Sequence, residues 1–120
     1  MDNELLNETF TVDYRALMRL INNLLSNARV HAKQTIKIQF YNYDSQCFLV
    51  VEDDGPGIDK SKWQDVFTPF TQLDNNQRDG SKGHGLGLAI VQQIAMWHKG
   101  EITVNRSQLG GAKFTASWPI

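Results

Sequence analysis

Three groups of residues in this chain combine types and spacings able to do chemistry. Asn23 and Asn27 lie four apart in a segment of helical periodicity, which projects both amides from one side of a helix. An amide oxygen is a hard, neutral donor suited to Mg²⁺, an ion that keeps several waters and takes other ligands from phosphates. A solvated polar helix face has the same spacing. Asp53-x-Gly55-x-Gly57 follows an apolar run, placing a carboxylate beside two glycines that let a flat ligand approach the backbone. Such a carboxylate can accept from an exocyclic amine, and an acidic β-turn reads the same way. Gly83-His84-Gly85-Leu86-Gly87 opens a helical pattern, where exposed N–H groups and the helix dipole favour an anion. That run departs from the dinucleotide fingerprint G-x-G-x-x-G and lacks the Gly-Lys-Ser/Thr of a P-loop, so a phosphate cradle and a flexible helix-capping hinge both remain open.

The elements that must position these groups follow from periodicity. Thr9 to Val12 reads as a short strand, and Asp13 as the N-cap of a helix from Tyr14 to about Ala32 with the apolar stripe Leu17, Ile21, Leu24, Ala28. Ile36 to Phe40 alternates and Cys47 to Val51 is continuously apolar, which predicts two strands joined through Asn42 to Gln46. A short helix is expected from about Asp59 to Val66. Residues 71–82 hold one aliphatic side chain, Leu73, and read as a mobile loop. A helix then runs from Leu86 to a cap at Gly100, and Ile102 to Val104 and Ala112 to Trp118 form closing strands around Gly110-Gly111. Hairpins without regular strand-helix-strand alternation predict a two-layer α/β sandwich, its mixed sheet covered by helices on one face.

The chain has 120 residues, 41% hydrophobic and 21% charged, which suits one globular domain spanning residues 1–120 rather than a disordered chain. A formal charge of −1 offers no basic footprint for nucleic acid. The lone Cys47 fits a reducing compartment, and no apolar run reaches membrane-span length. His98 reads as a cation at a helix C-terminus, and Trp63, Trp97 and Trp118 as core or edge packing.

Order along the chain adds what no motif carries alone. Asn23 to Ala28, Asp53 to Ile58, Phe67-Thr68-Pro69-Phe70 and Gly83 to Val91 resemble, in sequence, the N, G1, F and G2 boxes of sensor histidine kinases, over about residues 9–119. Val51 to Ile58 and Leu109-Gly110-Gly111-Ala112 look like the RstB and osmosensor branch. The resemblance implies a five-stranded mixed sheet with about three helices, and ATP held between the first and last helices under a lid at 71–82. It implies Asn27 as the Mg²⁺ ligand, with Asn23 beside the triphosphate. Asp53 would accept from the adenine amine in a pocket shaped by Gly55, Gly57 and Ile58. Phe67 and Phe70 would anchor the lid, while Gly83, His84, Gly85, Leu86 and Gly87 would line the phosphates. His31 stands where many relatives have Tyr against adenine, and Val30 where many have Lys or Arg; Lys82, with Arg78, can supply positive charge from the lid. The implied partners are a phosphoacceptor histidine domain of the same homodimeric parent and a response regulator. The implied location is a cytoplasmic domain of a parent anchored in the bacterial inner membrane. Two rivals stand beside this reading: a non-catalytic nucleotide-binding adaptor, and a hydrolytic ATPase of gyrase or chaperone type. Relatives of the latter type carry a Glu base where this chain has Asn23, which cannot accept a proton at neutral pH.

Overall fold

The computed structural model describes residues 13–68 and 87–119. Helix α1 spans Tyr14–His31 and opens at Asp13, whose carboxylate accepts from the backbone N–H of Arg15 and Ala16 at 3.1 and 3.2 Å. A cap of this kind contributes about 1 kcal/mol. Leu20, Leu24 and Ala28 recur every four residues on the buried stripe, and Leu17, Ile21 and Leu25 flank it.

Strands β1 (Ile36–Tyr43) and β2 (Gln46–Asp53) form a hairpin whose turn is only Asp44-Ser45. The five-residue connection expected from composition is therefore too long. Asp44 and Ser45 both take left-handed φ values, 54° and 64°, which matches the twist of a two-residue hairpin and extends the ladder to Tyr43 and Gln46. Strands β3 (Glu101–Arg106) and β4 (Ala112–Pro119) form the second hairpin. The order is β1-β2-β4-β3 with every pair antiparallel, so the described sheet has four strands rather than a mixed five. The expected strand at Thr9 to Val12 lies outside the described residues.

Register sorts the side chains. Cys47, Leu49 and Val51 of β2 share a face with Phe114, Ala116 and Trp118 of β4 and Ile102 and Val104 of β3, and these join the helix stripe in one core. Helices α1 and α2 (Gly87–Trp97) cover that face, α2 contributing Val91, Ile94 and Ala95. The two-layer α/β sandwich expected from the sequence is the architecture found.

The segment expected as one short helix is two single 3₁₀ turns, Lys60–Lys62 and Asp65–Phe67. Phe67 is buried edge-on to Phe114, 6.2 Å between centroids, a pair worth about 0.5–1.5 kcal/mol beyond its burial. Trp118 is buried and Trp63 half-buried, its indole donating to the Ile58 carbonyl at 2.9 Å. Trp97, by contrast, is exposed.

Helix α2 ends earlier than its pattern suggested, and through a different residue. Lys99, not Gly100, adopts the left-handed conformation (φ 65°), while the N–H of Lys99 reaches the Met96 carbonyl and that of Gly100 the Ala95 carbonyl. This is the two-bond Schellman closure. Gly100 is required instead because a Cβ there would overlap the Ser117 carbonyl of β4. His98, at the end of α2, is engaged at both ring nitrogens. Its Nδ1 lies 2.9 Å from the Ile94 carbonyl and its Nε2 lies 3.2 Å from the Asp13 N–H. The ring thus ties the end of α2 to the start of α1.

Candidate functional site

The end of β2 and the residue after it carry three consecutive carboxylates, Glu52, Asp53 and Asp54. Side by side they would repel and leave buried acceptors unsatisfied. The fold gives each its own hydrogen-bond partners. Glu52, buried, accepts from the Ser107 hydroxyl at 2.7 Å, in the turn between β3 and β4. Asp53, only 2% exposed, accepts at Oδ1 from the N–H of Gly55 at 2.8 Å and of Ala112 at 3.4 Å. Asp54 accepts at Oδ1 from the N–H of Lys33 at 2.7 Å, and Gln34 N–H lies 3.2 Å from both of its oxygens.

Asp53 is thus fixed by its own turn and by the second hairpin. Gly111 donates its N–H to the Asp53 carbonyl at 3.1 Å and accepts at its own carbonyl from Ser107. The two chains pass so closely that a Cβ on Gly111 would overlap the Asp53 carboxylate and backbone. Both hydrogen bonds to the carboxylate fall on Oδ1 among the described residues, which leaves Oδ2 as the oxygen to offer a ligand.

Gly55 is buried where the turn meets the end of α1, and a Cβ there would overlap the His31 carbonyl. Its lack of a side chain serves helix-to-turn packing as well as any ligand. Gly57 has φ +78°, a backbone state that a side chain would strain, and sits against the Gly110 and Gly111 carbonyls. Ile58 is half-buried at the core margin.

On α1, Asn23 and Asn27 are half-buried one turn apart, and His31 is exposed one turn further. The Asn23 side chain donates through Nδ2 to the Gly87 carbonyl at 3.4 Å, joining the helix that carries the amides to the first residue of α2. Gly87 is exposed, and a Cβ there would meet nothing within 4 Å. The structure therefore ties Asn23 to Gly87, His31 to Gly55, and Asp53 to the Gly111 turn. The other expected site residues, Phe70, Lys82, Gly83, His84, Gly85 and Leu86, and the 71–82 segment, lie outside the described residues.

No group of three or more His, Cys, Asp or Glu among the described residues could by itself hold a metal ion. A lone amide at Asn27 suits a hard ion that takes most of its ligands from phosphate oxygens and water.

Two positions escaped sequence reading. Gly111 was legible only as a turn residue, and Asp54 as one more acid before a glycine; the partners that define them lie 58 and 20–21 positions away. Asp54 is half-buried, and burial by itself pushes its pKa up. The backbone N–H groups of Lys33, Gln34 and Thr35 outweigh that and hold the carboxyl below its ordinary value of 3.8. A depressed pKa stabilises the fold fully above the ordinary value, and the contribution is lost as pH falls through the lowered one. The melting-temperature gap between the wild type and Asp54→Asn should therefore narrow as pH falls from about 6 to about 3. A gap that stays constant over that range, followed by circular dichroism, would contradict this.

Residues 12–120 match the family described as histidine kinase-, DNA gyrase B- and HSP90-like ATPase. The sensor protein RstB of Escherichia coli K12 is 39% identical over 109 residues, covering 91% of this chain and 25% of that protein. The chain thus spans about a quarter of the length of this curated relative. Among solved structures, the mycobacterial sensor histidine kinase MprB superposes with a TM-score of 0.77 at 30% identity, over 89% of this chain and 74% of that one. The histidine kinase domain of the E. coli osmosensor EnvZ gives 0.65 at 31% identity, over 91% and 66%.

Proposed function

The chain belongs to the histidine kinase-, DNA gyrase B- and HSP90-like ATPase family, and from that membership we propose that it is the ATP-binding catalytic domain of a sensor histidine kinase. The observation that carries the reading is Asp53: a buried carboxylate at a strand end, one oxygen held by two backbone N–H groups and the other left for an exocyclic amine.

In this reading Asp53 accepts from the adenine amino group, and Gly55, Gly57 and Ile58 line the base beside it. His31, one turn beyond Asn27, lies toward the base end of the same helix. Asn27 holds Mg²⁺, which when bound neutralises phosphate charge, and Asn23 stands beside the triphosphate. The phosphates are received by the run Gly83, His84, Gly85, Leu86 and Gly87 at the opening of α2, with Phe70 and Lys82 on the segment between. The γ-phosphoryl group goes to a histidine on a separate dimerisation domain of the same parent. An imidazole nitrogen bonds phosphorus as the bond to the bridging oxygen breaks, ADP leaves, and the imidazole proton passes to solvent. A histidine needs no strong base, since its ordinary pKa near 6.5 leaves the neutral ring dominant at pH 7. Positioning and charge neutralisation then supply most of the acceleration.

Asn23 favours transfer over hydrolysis. Its amide cannot take a proton from water, and its nitrogen is engaged with the Gly87 carbonyl. No helix among the described residues is long and apolar enough to cross a membrane, which suits a cytoplasmic catalytic domain carried by an anchored parent. A response regulator would receive the phosphoryl group downstream.

Calorimetric titration tests the reading. The wild type should bind Mg-ATP, and Asn27→Ala should raise the Mg²⁺ concentration needed for tight binding by about tenfold while sparing metal-free binding. No heat of binding from the wild type would remove the proposal. An unaltered metal dependence in Asn27→Ala would remove the ligand assignment.

A further inference from the structure

The Asp54 carboxylate reaches away from its own turn to another part of the chain. Its oxygens take the N–H of Lys33 and Gln34, the first residues after α1 and its cap at Ala32. Those amides follow the helix end, where the chain turns from helix into β1. The neighbouring contact is steric: Gly55 packs on the His31 carbonyl so closely that no side chain fits between. Together the two contacts hold the end of α1, one by charge-assisted hydrogen bonds just past its cap and one by surface fit at His31. Asp53, the preceding residue, is held at the same time by Ala112 and Gly111.

We infer that Asp54 is a positioning residue for nucleotide binding, clamping the C-terminal end of α1, which carries Asn27 and His31, at a set distance from the Asp53 carboxylate. The inference rests on the proposed function, because it assigns the clamp to the same nucleotide site. Asp53 is the last residue of β2 and Asp54 the first beyond it. One acid is held in the turn and by β4 while the next reaches the chain after the helix that bears the other half of the site. Without the clamp, the last turn of α1 keeps the core packing of Ala28, the covalent link through β1 and the Gly55 contact, but loses its hydrogen bonds to the turn after β2. The base subsite and the metal-bearing face of α1 would then move relative to each other, and a ligand spanning both would lose the benefit of a preformed site.

Three variants of the whole chain decide the matter: wild type, Asp54→Ala and Asp54→Asn, each titrated with Mg-ATP and followed by amide hydrogen exchange and thermal melting near neutral pH. Asp54→Ala should weaken Mg-ATP binding by about tenfold or more and raise exchange at Lys33 and Gln34. Asp54→Asn keeps an acceptor oxygen for the same N–H groups and should recover most of the affinity and protection. Adenosine alone, which meets the base end with Asp53 and His31 but not Asn27, should lose less affinity than Mg-ATP in Asp54→Ala, no more than about threefold. Should Asp54→Ala not fold, the comparison of wild type with Asp54→Asn still decides: an Asn variant that folds but binds Mg-ATP ten times more weakly overturns the clamp, since the hydrogen bonds would be present and the affinity gone. Wild-type affinity in a folded Asp54→Ala overturns it as well. Failure of the wild type to bind Mg-ATP overturns the proposed function and this inference with it, whereas the other two outcomes strike the inference alone.

Discussion

Gly111→Ala is expected to abolish measurable nucleotide binding and to lower the stability of the domain by about 1–3 kcal/mol, the usual cost of forcing atoms into a packed site. The new methyl group would occupy the space of the Asp53 carboxylate, the Asp53 carbonyl and the Gly55 N–H. Relief requires the β3–β4 turn to move away from β2. That movement breaks the Gly111 N–H bond to the Asp53 carbonyl and the Ala112 N–H bond to the carboxylate, and it strains the Ser107 bond to Glu52. Asp53 then loses one of the two donors that orient it, while remaining too buried to be rehydrated without cost. Gly87→Ala is the control with the opposite profile. A methyl group there meets nothing within 4 Å, and Ala is a better helix former than Gly, so stability should hold or rise slightly. Any loss of ATP affinity in that variant reports obstruction at the phosphate end. Melting curves and calorimetric titrations of the two variants separate the effects. A Gly111→Ala protein with wild-type affinity would show that Asp53 does not read the base.

The second large effect is all or none. The isolated chain, incubated with ATP labelled at the γ-phosphate, should not label itself, yet should phosphorylate a histidine on a separately added dimerisation domain from its own parent. The reason lies in where its histidines sit. Both ring nitrogens of His98 are engaged, one with the Ile94 carbonyl and one with the Asp13 N–H, so neither is a free nucleophile. His31 is on the helix that bears Asn23 and Asn27, one turn from the latter. In the proposed function it lies toward the base end of the nucleotide rather than at the γ-phosphate. His84 belongs to the expected phosphate cradle. Transfer in trans forfeits the effective concentration that a covalent linker provides, so its rate should be slow and should climb with acceptor concentration. Acid-labile label on the isolated chain would contradict the reading. Rapid hydrolysis of ATP without an acceptor would overturn the reading in favour of the hydrolytic ATPase.

What could be read without the structure was local. Helix α1 was legible from Asp13 and the stripe through Leu24 and Ala28, because a cap and a 3.6-residue period act within one turn of the chain. The closing hairpin was legible from alternation and two glycines, and the sandwich from the mixture of hairpins and helices. The segment near Trp63 reads as one short helix in sequence because residues at helical spacing do not show whether a turn continues. It stops at two 3₁₀ turns, where Trp63 bonds back to Ile58 and Phe67 is drawn into the core.

Residue chemistry was likewise legible from type and spacing, while contact was not. Asn23, Asn27 and Asp53 could be picked out as amides and a carboxylate able to hold metal and amine. Nothing in their spacing shows that Asn23 meets the first residue of α2, or that Asp53 is gripped by a turn 58–59 residues further on. Three acids in a row, Glu52, Asp53 and Asp54, look interchangeable in sequence. In the fold Glu52 meets Ser107 of the β3–β4 turn, Asp53 meets Ala112 of β4, and Asp54, just past the end of β2, meets the chain that follows α1. The glycines show the same division. Gly57 needs its backbone freedom, a local property, but Gly55, Gly100 and Gly111 are required because another chain segment passes where a Cβ would be. A sequence carries the first kind of constraint in its own neighbourhood. The second exists only once packing has brought distant backbone into contact, and it is decided by the tertiary structure alone.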